Sequence, residues 1–239
     1  PFLIIASLAV FGCKKKKEKE ETKDPKAKAP VAKTMNKVAK KVETKAPKKV
    51  GWVEAKGVKP KHERVKCSYG RCKIWVVTKK VKAELEKQKE YKKLWIEFAE
   101  KTNDKFFATV ANIPWAKKVK LYRSRITNLQ PLEALKDLEE FSISYNNDKK
   151  YRKIELDVAA LGSLKKLTDV YLYGVKVKNV NALGKVNTLT DVTVASCDNS
   201  DITWIAGKKE VVTVDFSYSK VKDIAPLGTL PKLEKVRFN

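Results

Sequence analysis

Histidine is nearly absent from this chain of 239 residues, in which His62 is the single example. A histidine-based catalytic triad would have to combine His62 with a distant nucleophile, which argues against that class of enzyme. The chain also lacks the glycine loop G-x-x-x-x-G-K-S/T that cradles nucleotide phosphates. Asp198 and Asp201 lack the six-acceptor spacing of a calcium loop and indicate a surface turn. We therefore predict a protein that is not an enzyme and has no cofactor and no metal site.

An apolar run long enough to span a bilayer is missing from the N-terminal region. The run at residues 1–12 is shorter than the roughly 20 residues that a spanning helix needs, but its length suits a secretion signal. Its ending, VFGC, resembles a bacterial lipobox, although Phe11 departs from that pattern. We predict that residues 1–13 are a signal peptide's apolar region and lipobox, and that Cys13 is lipidated. The alternative, a buried N-terminal strand, fits poorly with the lysine run that follows.

Aromatic residues are absent from residues 14–50, which are rich in Lys, Ala, Glu and Pro. Such a composition cannot bury enough apolar surface to offset the entropy lost on ordering, so we predict a disordered linker. Its 15 lysines and 5 acidic residues give +10 of the chain's net charge of +25. Because so much charge lies in a tail, we predict no nucleic-acid partner. The linker has a second possible role, contact with anionic envelope polymer or lipid headgroups.

Residues 51–115 regain aromatic side chains and predict a small α+β cap. The stretch ERVKCSYGRCKIWVV indicates two short strands around a loop, with Cys67 and Cys72 close enough to form a disulfide, as a secreted chain permits. Zinc bound by these two cysteines and His62 is the alternative, but a fourth ligand is lacking. The following stretch, KKVKAELEKQKEYKKLWIEFAEKTN, predicts one amphipathic helix whose apolar face includes Trp95.

From residue 116 to residue 239 the chain repeats itself. Pairs of apolar residues with strand-like alternation recur at spacings of 22, 29, 22, 22 and 22 residues, beginning at Val119 and Leu121. Between the pairs, apolar residues return about every third position. Such a period predicts a solenoid, whose units bury their apolar faces only by stacking on one another. Lys208 stands at an apolar position of the fourth unit, which predicts a looser convex side there.

The repeated segments resemble the leucine-rich repeat family, in particular the 22-residue bacterial type found in internalins. RITNLQPLEALKDLEEFSI and KVKDIAPLGTLPKLEKVRF carry its cadence of Leu and Ile, including Pro131 and Pro226. The resemblance implies an α/β solenoid with a parallel sheet on its concave face. It also implies that Cys197 lies buried in a ladder of backbone hydrogen bonds, whereas Ser219 departs from the family's Asn or Cys at the equivalent place.

In this fold, the residues that flank each apolar pair point out of the concave face. Five of the eight tyrosines fall among them, together with serine and small residues, a composition suited to protein recognition. Tyrosine's general preference for strands is the competing explanation. The predicted partner-binding residues are Tyr122, Arg123, Tyr145, Tyr171, Tyr173, Asp215, Tyr218 and Arg237.

The sequence thus predicts a lipid-anchored protein of the bacterial cell envelope, facing the periplasm or the cell exterior. Its predicted partner is a protein bound on the concave face, with the membrane contacted through the N-terminal lipid. A structural protein that holds anionic cell-wall or lipopolysaccharide polymer is the alternative, and a polysaccharide-binding module is a third possibility.

Overall fold

The computed structural model describes residues 58–145 and 154–238. The predicted lipidation site Cys13 and the linker, residues 14–50, lie outside this range and stay predictions. Most of the loop inserted in the second unit, residues 146–153, also lies outside it. Among the described residues, no helix combines the length and the apolar character needed to cross a membrane.

One sheet of nine strands forms the frame of the described residues, in the order β1-β2-β3-β4-β5-β7-β9-β10-β11. Only β1 and β2 run antiparallel, as a hairpin, and every later neighbour is parallel. A second parallel pair, β6 and β8, lies beside it. The strands are β1 Lys66–Ser68, β2 Arg71–Ile74, β3 Trp95–Phe98, β4 Lys118–Tyr122, β5 Glu140–Ser144, β6 Glu155–Asp157, β7 Asp169–Tyr173, β8 Lys176–Lys178, β9 Asp191–Ala195, β10 Thr213–Asp215 and β11 Lys235–Arg237.

Among the described residues, short helices connect the parallel strands on the opposite side of the solenoid, and one further helix, Pro60–Glu63, precedes β1. Two are α-helices, α1 Lys79–Glu86 and α2 Asp104–Phe107. The remaining ones are 3-10 helices at Pro60–Glu63, Ala108–Asn112, Gln130–Ala134, Ala159–Ser163, Val180–Lys185, Thr203–Ile205 and Ala225–Thr229. Pro131 and Pro226 are the second residues of two of them, in the first turn, where the missing N–H of proline costs nothing.

Three repeats begin their convex side with the same side-chain turn. The carboxylate of Asp157 accepts a hydrogen bond from the Ala159 N–H at 2.9 Å, and that of Asp223 accepts one from Ala225 at 2.9 Å. Asp201 does the same for Thr203 at 2.8 Å, and hydrogen bonds from Thr203 lower the pKa of Asp201. This confirms that Asp201 belongs to a surface turn.

The apolar pairs of the strands up to Val214 and Phe216 face the helices and form a continuous core, whereas Val236 and Phe238 of the last pair are 46% and 39% exposed. Val119, Leu121, Phe141 and Ile143 are at most 1% exposed, as are the leucines that return every third residue behind them. A unit buries these side chains only against its neighbours, so the stacking of units creates the core. The predicted α/β solenoid with a parallel sheet is confirmed.

The single long helix predicted in the cap is wrong. Helix α1 starts at the N-cap Thr78, whose side chain accepts a hydrogen bond from Val81, and ends at Glu86. Trp95–Phe98 is strand β3 instead, because Ile96 and Phe98 alternate inward and pair with both β2 and β4. The sheet of the repeats therefore continues without a break through β3 into the cap.

The disulfide between Cys67 and Cys72 is confirmed. These residues lie directly opposite one another in the β1–β2 hairpin. Because both sulfurs are engaged in the bond, the alternative zinc site is wrong. His62 packs against Phe106 and Trp75 instead, with ring centroids 5.5 and 6.4 Å away.

Cys197 lies in the buried ladder as predicted. It is 3% exposed, and its thiol donates to the Ala195 carbonyl at 3.2 Å and to the Leu172 carbonyl at 3.5 Å. One unit later, the Ser219 hydroxyl donates to the Val194 carbonyl at 2.7 Å. Serine therefore performs the ladder function, although it departs from the residue types expected there.

Lys208 was expected to loosen the convex side of the fourth unit, but this side is not open to solvent at Lys208. The residue is 5% exposed, and its ammonium donates to the carbonyls of Val186 at 2.5 Å and Gly184 at 3.2 Å. Burial lowers the pKa of Lys208. Trp204, also buried, fills the neighbouring space against Phe216, with ring centroids 6.5 Å apart.

Candidate binding surface

The flanking residues of the strands form straight rows across the outer face of the sheet. Register aligns Ser142 with Tyr171, Tyr171 with Thr193, and Thr193 with Asp215. The next row aligns Ser144 with Tyr173. Because parallel strands stack without slippage, side chains that are far apart in sequence become neighbours on one surface.

Tyr171 and Tyr173 form the centre of this surface. They occupy the same face of β7, and their rings stack with centroids 6.1 Å apart and planes inclined by 17°. Tyr171 is 41% exposed, whereas Tyr173 is half-buried. Burial, followed by Tyr173 and Asp215, raises the pKa of the Tyr171 phenol. Two adjacent rings thus offer a rigid, partly desolvated platform.

At the carboxyl ends of the strands the chain turns through the left-handed region. Arg123, Gly174, Ser196 and Tyr218 occupy the same place in four of the repeats and have φ values of 44°, 68°, 52° and 56°. The Arg123 guanidinium lies over the Tyr122 ring at 5.1 Å. Tyr218 is 66% exposed. These positions form a rim beside the two rows that contain Tyr171 and Tyr173.

Tyr145 is the predicted binding residue that the structure places elsewhere. It is fully buried, and its hydroxyl donates to the Ile126 carbonyl at 3.3 Å. Unlike its counterparts Arg123 and Tyr218, it does not have a positive φ. Its side chain therefore continues the inward alternation of Phe141 and Ile143. The prediction that Tyr145 contacts a partner is wrong, because its ring belongs to the core.

Asp215 and Arg237 lie at the C-terminal end of the first row. Their strands pair in register, and the guanidinium and carboxylate are 3.9 Å apart. The Asp215 carboxylate also accepts a hydrogen bond from the Ser217 N–H at 2.9 Å. Arg237 is exposed and is available to a ligand, whereas Asp215 is held by its own turn.

A third row of outward-facing residues was missed in the sequence. It precedes each apolar pair by one position and runs Trp95, Lys118, Glu140, Asp169, Asp191. Extending the strand alternation backwards by one step would have found it. Lys118 forms an ion pair with Glu140 and also lies 5.6 Å from the centre of the Trp95 ring.

This third row makes the middle of the surface acidic, although the whole chain is basic. Glu140 aligns with Asp169, and Asp169 aligns with Asp191. Burial raises the pKa of Asp169, and the charges of Glu140 and Asp191 raise it further, against a hydrogen bond from Thr168. A shallow depression of about 540 Å³ lies over these residues; its walls include Trp95, Tyr122 and Tyr171.

We define the tyrosine surface as Tyr122, Tyr171, Tyr173 and Tyr218 together with this depression. Within residues 58–145 and 154–238, no group of three or more His, Cys, Asp or Glu side chains is placed to hold a metal ion. The arrangement offers stacking rings, hydroxyls and carboxylates on a rigid sheet, which suits recognition of another molecule.

Comparison with solved structures identifies the architecture. An internalin (inlF) from Listeria monocytogenes is similar to this chain with a TM-score of 0.51 and 16% sequence identity, over 71% of this chain. The fold is that of the internalin leucine-rich repeats. A second internalin of the same organism, inlC2, aligns over 63% of this chain with a TM-score of 0.48 and 21% identity.

The alignments cover part of each internalin structure, 47% of the inlF chain and 64% of the inlC2 chain. No model of a protein family matches the sequence, and no curated protein matches it. The likeness therefore bears on the fold, and the function has to be argued from the surface.

Proposed function

We propose that this protein is a binding module for a protein partner, which it contacts through the tyrosine surface. The observation that carries the proposal is the stacked pair of Tyr171 and Tyr173, presented at the centre of a rigid parallel sheet. Aromatic rings at the centre of an interface contribute much contact area and lose little conformational entropy on binding. The strands hold both rings before a partner arrives, which reduces the cost of association further.

The acidic row, which consists of Glu140, Asp169 and Asp191, determines a second property that the partner must have. Glu140 is engaged by Lys118, but Asp169 and Asp191 lie on the floor of the depression beside Tyr171. Complementary charge steers encounter and determines orientation more than it adds affinity. The partner therefore presents apolar or aromatic groups to the tyrosines and a Lys or Arg side chain to the carboxylates.

The test compares two single exposed tyrosines of the full chain, each replaced by alanine. Tyr171→Ala removes the central ring, while Tyr91→Ala removes a ring that is 56% exposed and lies off the tyrosine surface. Partner proteins recovered from envelope extracts at moderate salt should lose affinity at least tenfold with Tyr171→Ala. Equal binding by both variants, or binding that collapses with salt and ignores Tyr171, would overturn the proposal.

We also propose that the protein is held in the bacterial cell envelope by a lipid on Cys13. The support is the sequence alone: an apolar run of signal-peptide length that ends in VFGC. Mass spectrometry of the protein isolated from its own cells tests this directly. The expected N-terminal peptide begins at Cys13 and carries acyl chains, and an unmodified Cys13 inside a longer peptide contradicts the proposal.

A structural role on anionic envelope polymer is the second candidate. The observation in its favour is the linker at residues 14–50, with its charge of +10 from 15 lysines and 5 acidic residues. Binding through such a segment depends on salt and on no particular ring. Deletion of residues 14–50 would abolish it while leaving binding at the tyrosine surface intact.

A further inference from the structure

The β1–β2 hairpin carries an unusual turn. Strands Lys66–Ser68 and Arg71–Ile74 are joined by Tyr69 and Gly70, which both have positive φ, 48° and 75°. Such a two-residue turn favours Asn-Gly, because a residue with a large side chain rarely adopts positive φ. Tyr69 nevertheless occupies the first turn position, with its ring fully exposed. Backbone conformations of this kind cost energy and concentrate at functional sites.

The hairpin is held rigidly against the rest of the sheet. The Cys67–Cys72 disulfide joins its strands across a sequence separation of five residues, and the Trp95 N–H donates to the Gly70 carbonyl at 2.8 Å. A disulfide that closes so short a loop restricts the unfolded chain little. Its effect is local, because it fixes the backbone of the two strands that carry the turn at Tyr69 and Gly70.

Positive charge is concentrated around this turn. Lys66 lies directly opposite Lys73, and like charges in that position destabilise a hairpin. With Arg71 and Lys93 they line one recess, in which Glu97 is the single carboxylate, so four cations and one anion give +3. Glu97 reaches Arg71 at 3.6 Å and Lys73 at 3.9 Å, which are long contacts for ion pairs.

The recess has the size and the walls of a ligand site. Its volume is about 510 Å³, within the range of small-molecule pockets. Tyr69 and Trp95 supply aromatic faces, and Arg71 supplies a planar fork that suits carboxylate or phosphate. Lys73 aligns with Glu97, and Glu97 aligns with Lys120, so the recess lies on the same concave face as the rows of the repeats. A flat membrane surface fits a concave face poorly.

We propose that this recess, the hairpin pocket, binds an anionic polysaccharide, a chain of sugar rings that carries carboxylate or phosphate groups. The four cations receive the anionic groups, and the exposed ring of Tyr69 stacks on a sugar face. An anionic ligand also relieves the repulsion between Lys66 and Lys73. The pocket shares Trp95 with the depression of the tyrosine surface, but its four cations and Tyr69 lie outside that surface.

The test uses the full chain and polygalacturonate, a polymer of sugar rings with one carboxylate each. The hairpin variant is Lys66→Gln plus Lys73→Gln; the matched control is Lys185→Gln plus Lys209→Gln, which removes two exposed lysines elsewhere. Affinity at constant salt should fall at least tenfold in the hairpin variant and less than twofold in the control. Equal losses in both variants would mean diffuse charge attraction and would overturn the site.

Two further measurements decide the class of ligand. Tyr69→Ala should weaken binding of polygalacturonate several-fold but leave binding of polyphosphate, which has no rings, unchanged. Polyglutamate should bind more weakly than polygalacturonate, and equal binding would assign the pocket to acidic proteins instead. Arg71→Gln provides a second variant in case the double substitution disturbs folding, which retention of the thermal midpoint checks. Failure of these tests leaves the tyrosine-surface proposal untouched, because none of the substituted residues lines that surface.

Discussion

Tyr171 and Tyr173 are separated by one residue of strand β7, and their rings stack with centroids 6.1 Å apart. The strand places both side chains on one face, and stacking covers part of each ring from water. Tyr171 thereby becomes a partly buried phenol on an otherwise solvated surface. This combination has a consequence that can be measured without knowing the partner.

The first prediction concerns the ionisation of Tyr171. Burial raises its pKa first, and the neighbouring Tyr173 and Asp215 raise it further. Replacing Tyr173 with alanine should move the pKa of Tyr171 back towards the usual value, because the phenol becomes more hydrated. An NMR titration of ring-labelled tyrosine measures this shift. Tyr91→Ala is the control and should leave Tyr171 unchanged; an equal shift in both variants would contradict the stacked arrangement.

The second prediction concerns the thiol of Cys197. It is 3% exposed, and burial raises its pKa to about 12, so the thiol is neutral and shielded at pH 8. In a Cys13→Ser background, a disulfide-exchange thiol reagent should titrate no thiol in the native protein. One thiol should appear in denaturant, since Cys67 and Cys72 are bonded. Ser196→Cys, a half-buried neighbour on the rim, should react in the native state.

The solenoid could be predicted because a fixed repeat and a two-residue alternation act together. Val119 and Leu121 alternate within a strand, and the same pair recurs in later units, so each unit confirms the register of the others. Strand β3, which precedes the first unit, escaped this pattern. Trp95 and Phe98 are three residues apart and fit a helix, while Ile96 and Phe98 fit a strand, so the local sequence favoured neither strongly. Pairing with β2 and β4 decided in favour of the strand.

The candidate surface could be predicted in part. Tyr171 and Tyr173 followed from alternation. Tyr145 was grouped with Arg123 and Tyr218 instead, although alternation alone turns it inward with Phe141 and Ile143; Arg123 and Tyr218 leave that alternation because their φ is positive. That choice depends on the turn after each strand, and the turn after β5 leads into the inserted loop. The acidic row of Asp169 and Asp191 could have been found, since it requires one more step of the same alternation.

The third prediction separates the buried tyrosine from the surface tyrosines. Tyr145→Phe should lower the free energy of unfolding by about 1 kcal/mol, because it removes the hydroxyl that donates to Ile126. Tyr145→Ala should cost about 3–5 kcal/mol through the cavity it creates. Chemical denaturation measures both. Tyr218→Ala, on an exposed ring, should change stability little, and a comparable loss there would contradict this assignment of roles.

The fourth prediction tests the acidic row through the pH dependence of stability. The pKa of Asp169 is higher in the folded protein than in the unfolded chain. Between these two pKa values, the folded state therefore binds more protons than the unfolded state. Stability is therefore lost as the pH rises through this window, and the cost persists at neutral pH. Asp169→Asn should remove that cost and stabilise the protein at pH 7, by less than about 1 kcal/mol because the group is partly solvated.

Asp137 provides the control of opposite sign. A hydrogen bond from Lys166 lowers the pKa of Asp137, so its contribution is present above the unfolded pKa and is lost as the pH falls. Asp137→Asn should therefore lower the denaturation midpoint at pH 7, whereas Asp169→Asn raises it, and both differences should shrink below pH 3. Denaturant midpoints of the three proteins across this pH range measure the effect. If Asp169→Asn lowered the midpoint at pH 7 as Asp137→Asn does, then burial and the charges of Glu140 and Asp191 could not be disfavouring the Asp169 carboxylate in the folded protein.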